Sequence, residues 1–97
     1  MNKRNNDRTL KEAIEQMLEV YRLKQKYDET SIVAAWPELM GTAIANRTTR
    51  LYVADKKLFV GLESSVIKNE LMMMRSQILK KLNDRAGKEI ITSIVFL

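Results

Sequence analysis

The chain has no cysteine and no histidine among its 97 residues. The first absence removes disulfides and thiolate metal sites, and the second removes the usual proton shuttle near neutral pH. Proline and tryptophan occur once each and glycine three times, so the backbone has few built-in breaks and one large indole to place. No stretch approaches the ~18 consecutive apolar residues of a membrane-spanning helix, and the N-terminal MNKRNNDRT carries charge with no apolar run behind it. A cytoplasmic protein with no membrane association is expected. The carboxylates are scattered as Asp28, Glu29, Glu38, Asp55, Glu63, Glu70 and Asp84, without the spacing of a hard-cation site, and no serine has a histidine to activate it. Gly41, Gly61 and Gly87 stand apart, so neither a Walker loop nor a dinucleotide fingerprint exists. The expectation is a protein that is not an enzyme and has no metal and no cofactor.

What is present is ordinary for a folded domain. Apolar residues make up 45% and charged residues 30% of the chain, enough for one hydrophobic core in a chain too short for two. Seventeen Lys and Arg against twelve Asp and Glu give a net charge of +5. A field of that sign concentrates polyanions, either nucleic acid or an acidic protein surface. Solubility alone is the plainer use of the same charge.

Residues 1–8 read as a basic flexible tail and residues 9–97 as a single domain. Thr9 with Glu12 three positions on makes a capping box, which predicts a helix start. Leu10, Ile14, Met17, Leu18 and Tyr21 then share one helical stripe, expected to be buried, while Lys11, Glu12, Glu15, Gln16 and Glu19 go to water. Leu23 is off the stripe, at a change of direction or exposed to a partner. After RLKQKYDET a second periodic run holds Ile32, Val33, Trp36, Leu39, Met40, Ala43 and Ile44, with Asp28 or Thr30 as its cap. Pro37 has no N–H to return to the carbonyl of Val33, and its ring crowds that turn. A helix ending at Trp36 is therefore expected, with a short one from Pro37 to about Asn46. The indole becomes a plug at the corner.

In TRLYVADKKLFVGLE a period of two replaces the helical period. A hairpin turning over Ala54–Lys57 sets Val53 opposite Leu58, Leu51 opposite Val60 and Tyr52 opposite Phe59, pairs that agree in character throughout. Ser64 or Ser65 caps a long helix with the stripe Ile67, Leu71, Met74, Ile78 and Leu82, ending at Gly87. The last residues, EIITSIVFL, are β-branched and apolar on both alternations, as in a strand covered on both faces or lying between two others. The fold class is α+β: a three-stranded sheet with helices packed on one face, in the order α-α-β-β-α-β.

Nucleic-acid binding needs cations for phosphates and, for single strands, aromatic faces for bases. The hairpin supplies Arg50, Lys56 and Lys57 with Tyr52 and Phe59, and the long helix supplies Lys68, Arg75, Lys80 and Lys81, the last two also complementing its dipole. The plainer reading covers the hairpin face with the first helix or a second copy, making the chain a protein-interaction module or homodimer without nucleic-acid binding. The run Met72–Met74 reads as core and shoulder packing, with an exposed Met73 beside Leu23 as the alternative, a protein-binding patch.

The runs AAWPELMGTAIANRT, KLFVGLESSVIKNEL and LNDRAGKEIITSIVF carry Trp36, Gly41, Ala45, Thr48, Leu58, Val60, Ser64, Ser65, Glu70, Leu71, Leu82, Asn83 and Gly87 in order. Together they resemble the DciA family, bacterial proteins implicated in loading the replicative helicase onto DNA. The resemblance implies a KH-like domain that contacts the replicative DNA helicase and binds single-stranded or duplex DNA, without being an ATPase. The chain has no GxxG, the loop with which nucleic-acid-binding KH domains clamp a backbone. DNA contacts are therefore expected on basic helix faces or the hairpin, and an RNA-binding KH relative is disfavoured. Many relatives turn a long polar tail toward the helicase; with the sequence ending at Leu97, that contact is expected on the folded surface.

Overall fold

The computed structural model describes residues 3–97, with side chains from Thr9 onward; residues 1 and 2 of the expected tail lie outside the described residues. Helix α1 (Lys3–Met40) is one helix of 38 residues, about 57 Å long at 1.5 Å per residue. Thr9 is thus interior to it and does not cap it. RLKQKYDET is helical as well, because neither glycine nor proline interrupts the good helix formers between Thr9 and Trp36. Thr30 is no cap either: its hydroxyl donates to the Lys26 carbonyl at 2.9 Å, and that of Ser31 to Tyr27 at 3.0 Å, the back-bonding of hydroxyls inside a helix. Asp28 instead pairs with Lys88 at 2.8 Å.

Pro37 also fails to end the helix. Its exposed ring points to water, and the turn beyond it is kept by packing, since Leu39 and Met40 lie against the core. Gly41 stops the helix, with φ of 88° and its N–H donating to the Pro37 carbonyl at 3.0 Å. A short helix, α2 (Thr42–Asn46), follows. The expected burial of Trp36 holds: it is 1% exposed. Its Nε1–H donates to Thr48 Oγ1 at 3.1 Å, and the Thr48 hydroxyl donates on to the Ile44 carbonyl at 2.8 Å. The indole thereby fastens α1 to the segment that enters the sheet.

The sheet contains β1 (Thr48–Ala54), β2 (Lys57–Leu62) and β3 (Ser93–Phe96) in the order β1-β2-β3, with β2 antiparallel to β1 and parallel to β3. The hairpin register is the expected one, Leu51 opposite Val60, Tyr52 opposite Phe59 and Val53 opposite Leu58. Near its open end the pairing shifts between Thr48 and Arg50, opposite Gly61. A Cβ at Gly61 would meet Thr49 Oγ1 at 2.9 Å and Arg50 Cβ at 3.2 Å, so the irregularity closes only over a glycine. The final strand overturns one of its two expected placements: β3 does not lie between two others but at an edge, beside β2 alone, and β2 is the central strand.

Asp55 and Lys56 make the turn with φ of 50° and 60°, the positive values of a two-residue type I′ hairpin. The Lys56 carbonyl accepts from the Thr92 N–H at 2.7 Å and from its hydroxyl at 3.2 Å, which pins the turn from the β3 side. A lysine in this conformation is strained, so Lys56→Gly is expected to stabilise the domain by about 0.5–1 kcal/mol, read as a higher urea midpoint with unchanged slope.

The long helix is two helices. Ser64 caps α3 (Ser65–Met73), its hydroxyl oxygen accepting from the Ile67 N–H at 3.3 Å; α4 (Arg75–Ala86) ends at Gly87, left-handed with φ of 84°. The break falls at Met74. Leu71, Ile78 and Leu82 are buried as the stripe predicts, but Met74 is 44% exposed and not part of the core. Bending there lets α3 reach β2 while α4 lies against α1 and β3, and the corner's side chains are left outside. Met72 and Met73 are exposed too, so the run is not core packing. Asn83 organises the connection from α4 to β3: its Oδ1 accepts from the N–H groups of Ile90 at 2.9 Å and Ile91 at 3.1 Å, and its Nδ2 donates to the Ile91 carbonyl at 2.8 Å.

Ile32, Ala35, Trp36, Leu58, Val60, Leu71, Ile78, Leu82, Ile91 and Ile94 form the core between the sheet and helices. Residues 9–21 of α1 take no part. Leu10, Ile14, Met17, Leu18 and Tyr21, expected to be buried, are 47–68% exposed. The molecule is accordingly 66 Å long and only 22 Å by 19 Å across. No helix is long and apolar enough to cross a membrane among the described residues.

Candidate nucleic-acid interface

Alternation along the hairpin decides which side chains meet the core. Leu58 and Val60 face it with no exposure, so Lys57, Phe59 and Gly61 stand on the other side of β2, with Tyr52 opposite Phe59. The two rings stack, centroids 4.9 Å apart and planes 9° from parallel. The Arg50 guanidinium carbon lies 5.4 Å from the centroid of the Tyr52 ring, within cation–π range. Tyr52 remains 38% exposed, and Arg50 and Lys57 are exposed. The first helix therefore does not cover this face.

The remaining cations are elsewhere. Lys56 lines a cleft of about 280 Å³ with Tyr21, Lys24, Asp28, Val53 and Lys88. Its neighbour Lys57 does not line that cleft. Lys68 is half-buried on α3 and Arg75 exposed at the start of α4. Lys80 is exposed and paired with Asp84 at 2.9 Å, while Lys81 lines a groove with Leu39, Met40, Met74 and Ile78. Arg85 pairs with Glu38 of α1. Eight of the nine predicted residues thus fall into two groups: Arg50, Tyr52, Lys57 and Phe59 come together on the outer sheet face, and Lys68, Arg75, Lys80 and Lys81 belong to the helical layer. Lys56, at the turn, belongs to neither.

Sequence patterning missed three features. Thr48 gave no periodic signal as the partner of the indole, and Asn83 none as a clamp, since their partners lie 12 and seven or eight residues away. Lys24 and Lys88 reach the Lys56 cleft only through the packing of α1 against the end of α4.

A family model described as "Dna[CI] antecedent, DciA" matches residues 9–96. The chain belongs to the DciA family. It is also similar to a "UPF0232 protein" of Corynebacterium glutamicum (strain R), with 36% identity over 63 residues, covering 65% of this chain and 35% of that protein. The chain thus spans about a third of the length of that curated relative. For a DciA-family chain the geometry gives the ordered motif residues physical roles: Trp36 with Thr48 locks α1 to the sheet, Ser64 and Gly87 bound the paired helices, and Asn83 holds the entry to β3. Among the described residues no cluster of three or more acidic side chains could hold a metal ion.

Proposed function

We propose that this protein is a non-enzymatic accessory of DNA replication that binds DNA and contacts the replicative helicase, promoting its loading. Membership of the DciA family carries the reading, and the open aromatic and cationic face of the sheet supports its DNA-binding half. Because the Tyr52 ring is already engaged by Phe59 and Arg50, the cations supply most of the affinity, and the aromatic pair offers a base only the ring surface those contacts leave open. That arrangement suits a single strand, whose bases are available, better than a duplex. Lys68, Arg75, Lys80 and Lys81, on the helical layer, would serve a second stretch of the same polyanion. The exposed methionines at the α3–α4 corner suit an adaptable protein contact.

Capture of the tagged protein from its own cytoplasm, with and without nuclease, tests the helicase contact. The replicative helicase is expected to be retained in both arms. Its loss on nuclease treatment would reduce the association to a shared strand of DNA, and its absence from both would reject the reading.

A further inference from the structure

From Leu10 to Tyr21, α1 presents an apolar seam on which none of the described residues packs short of the cleft that Tyr21 borders. Leu10, Ile14, Met17 and Tyr21 recur at steps of four, three and four, the spacing of a helix–helix seam. Leu18 and Val20 flank it, and Glu12, Glu15 and Glu19 fall on the opposite side. The seam continues the stripe that, further along the same helix, packs Ile32 and Trp36 into the core. A lone helix with such a stripe in water draws little stability from its own backbone and normally gains it from a partner.

We infer that this seam pairs, antiparallel, with the same seam of a second copy of the chain. A two-fold axis between Glu15 and Gln16 sets Ile14 against Met17 and Leu10 against Tyr21, twice each by symmetry, so every seam position meets an apolar one. Parallel pairing in register would bring Lys24 against Lys24 on the same seam and crowd the two +5 domains together. The antiparallel arrangement places the domains at opposite ends. It stops at Tyr21, where the cleft beside Val53 and Lys88 marks the start of the domain.

Leu10, Ile14, Met17, Leu18, Val20 and Tyr21 are 47–68% exposed. Burying all of that surface would remove at most roughly 600 Å² per copy, or about 1,200 Å² for the pair, which reaches the lower bound of stable interfaces. The outer sheet face stays open in this dimer, so two copies would carry two DNA faces separated by the paired helices. The inference is independent of the DNA and helicase readings.

Sedimentation equilibrium of the full chain at micromolar concentrations tests it, beside the variant Ile14→Glu/Met17→Glu. Both positions are exposed, so the domain should keep its melting transition. The expected result is a reversible dimer of the 11.3 kDa chain whose dissociation constant rises about 100-fold or more in the variant. Mixing Leu10→Cys chains with Tyr21→Cys chains under mild oxidation should then yield the mixed disulfide in preference to either like pair. A monomer at every concentration overturns the inference, and does so too if the variant has lost helicase capture, which would give the seam to the helicase. A dimer indifferent to the two glutamates, or cross-linking chiefly of Leu10→Cys with itself, overturns it as well.

Discussion

Replacing Trp36 with alanine is expected to lower the stability of the domain by about 3–5 kcal/mol. The indole is buried at the meeting of α1, α2 and β1, and its loss opens a cavity in the centre of the core. It also removes the N–H that donates to the Thr48 hydroxyl, leaving that hydroxyl with its bond to the Ile44 carbonyl alone. A loss of that size is a large share of the ~5–15 kcal/mol that small domains possess, and corresponds to a melting point lower by more than ~12 °C. Trp36→Phe fills most of the volume and removes the hydrogen bond, so it should cost roughly a third as much. Urea and thermal unfolding followed by circular dichroism read both. An unchanged melting point with lost ligand binding would mean that the indole is a contact residue and not a core one.

Asn83→Ala is expected to be the next most damaging change, at about 2–4 kcal/mol, because it leaves two N–H groups and one carbonyl of the half-buried connection without their partner. The sign makes the test sharp. Alanine is the better helix former by roughly 0.5 kcal/mol, so if Asn83 were merely a residue of α4 the variant would be slightly more stable. Hydrogen exchange should show the amides of Ile90 and Ile91 losing protection first, since both donate to Asn83. Retained protection there, or a raised melting point, would contradict the role of the clamp.

How much of this was legible beforehand depended on how local the deciding interaction is. The hairpin was readable to the residue, because a slip by one would have put apolar side chains opposite polar ones at every pair from Val53 with Leu58 outward. Ser64 and Gly87 were readable for the same reason, each acting within one turn of its own helix. The extent of α1 was not. Pro37 and the Asp28–Thr30 region look like stops when read locally, yet uninterrupted helix formers before Trp36 and packing of the turn after it override both signals. Periodicity announces an apolar face but not what it packs on, which is why the stripe from Leu10 to Tyr21 and Met74 read as buried in the sequence yet are exposed in the structure. The edge position of β3 depends on a parallel pairing with β2 across some 35 residues of sequence, and nothing in EIITSIVFL encodes it.

The candidate site divides along the same line. The aromatic pair follows from the hairpin register, and the structure adds only its stacking and the approach of Arg50. The separation of the cations between sheet face, turn and helical layer is a property of the packed fold, invisible in a net charge of +5.

The salt dependence of binding to single-stranded DNA tests the central claim most directly, with Arg50→Glu/Lys57→Glu measured beside the unaltered protein. Both side chains are exposed on the outer sheet face, so folding should be unaffected. Affinity is expected to drop, and the slope of log K against log salt concentration should flatten by about 1.4, at roughly 0.7 per lost phosphate contact on a single strand. Equal affinity and an equal slope for the two proteins would contradict DNA binding by this face.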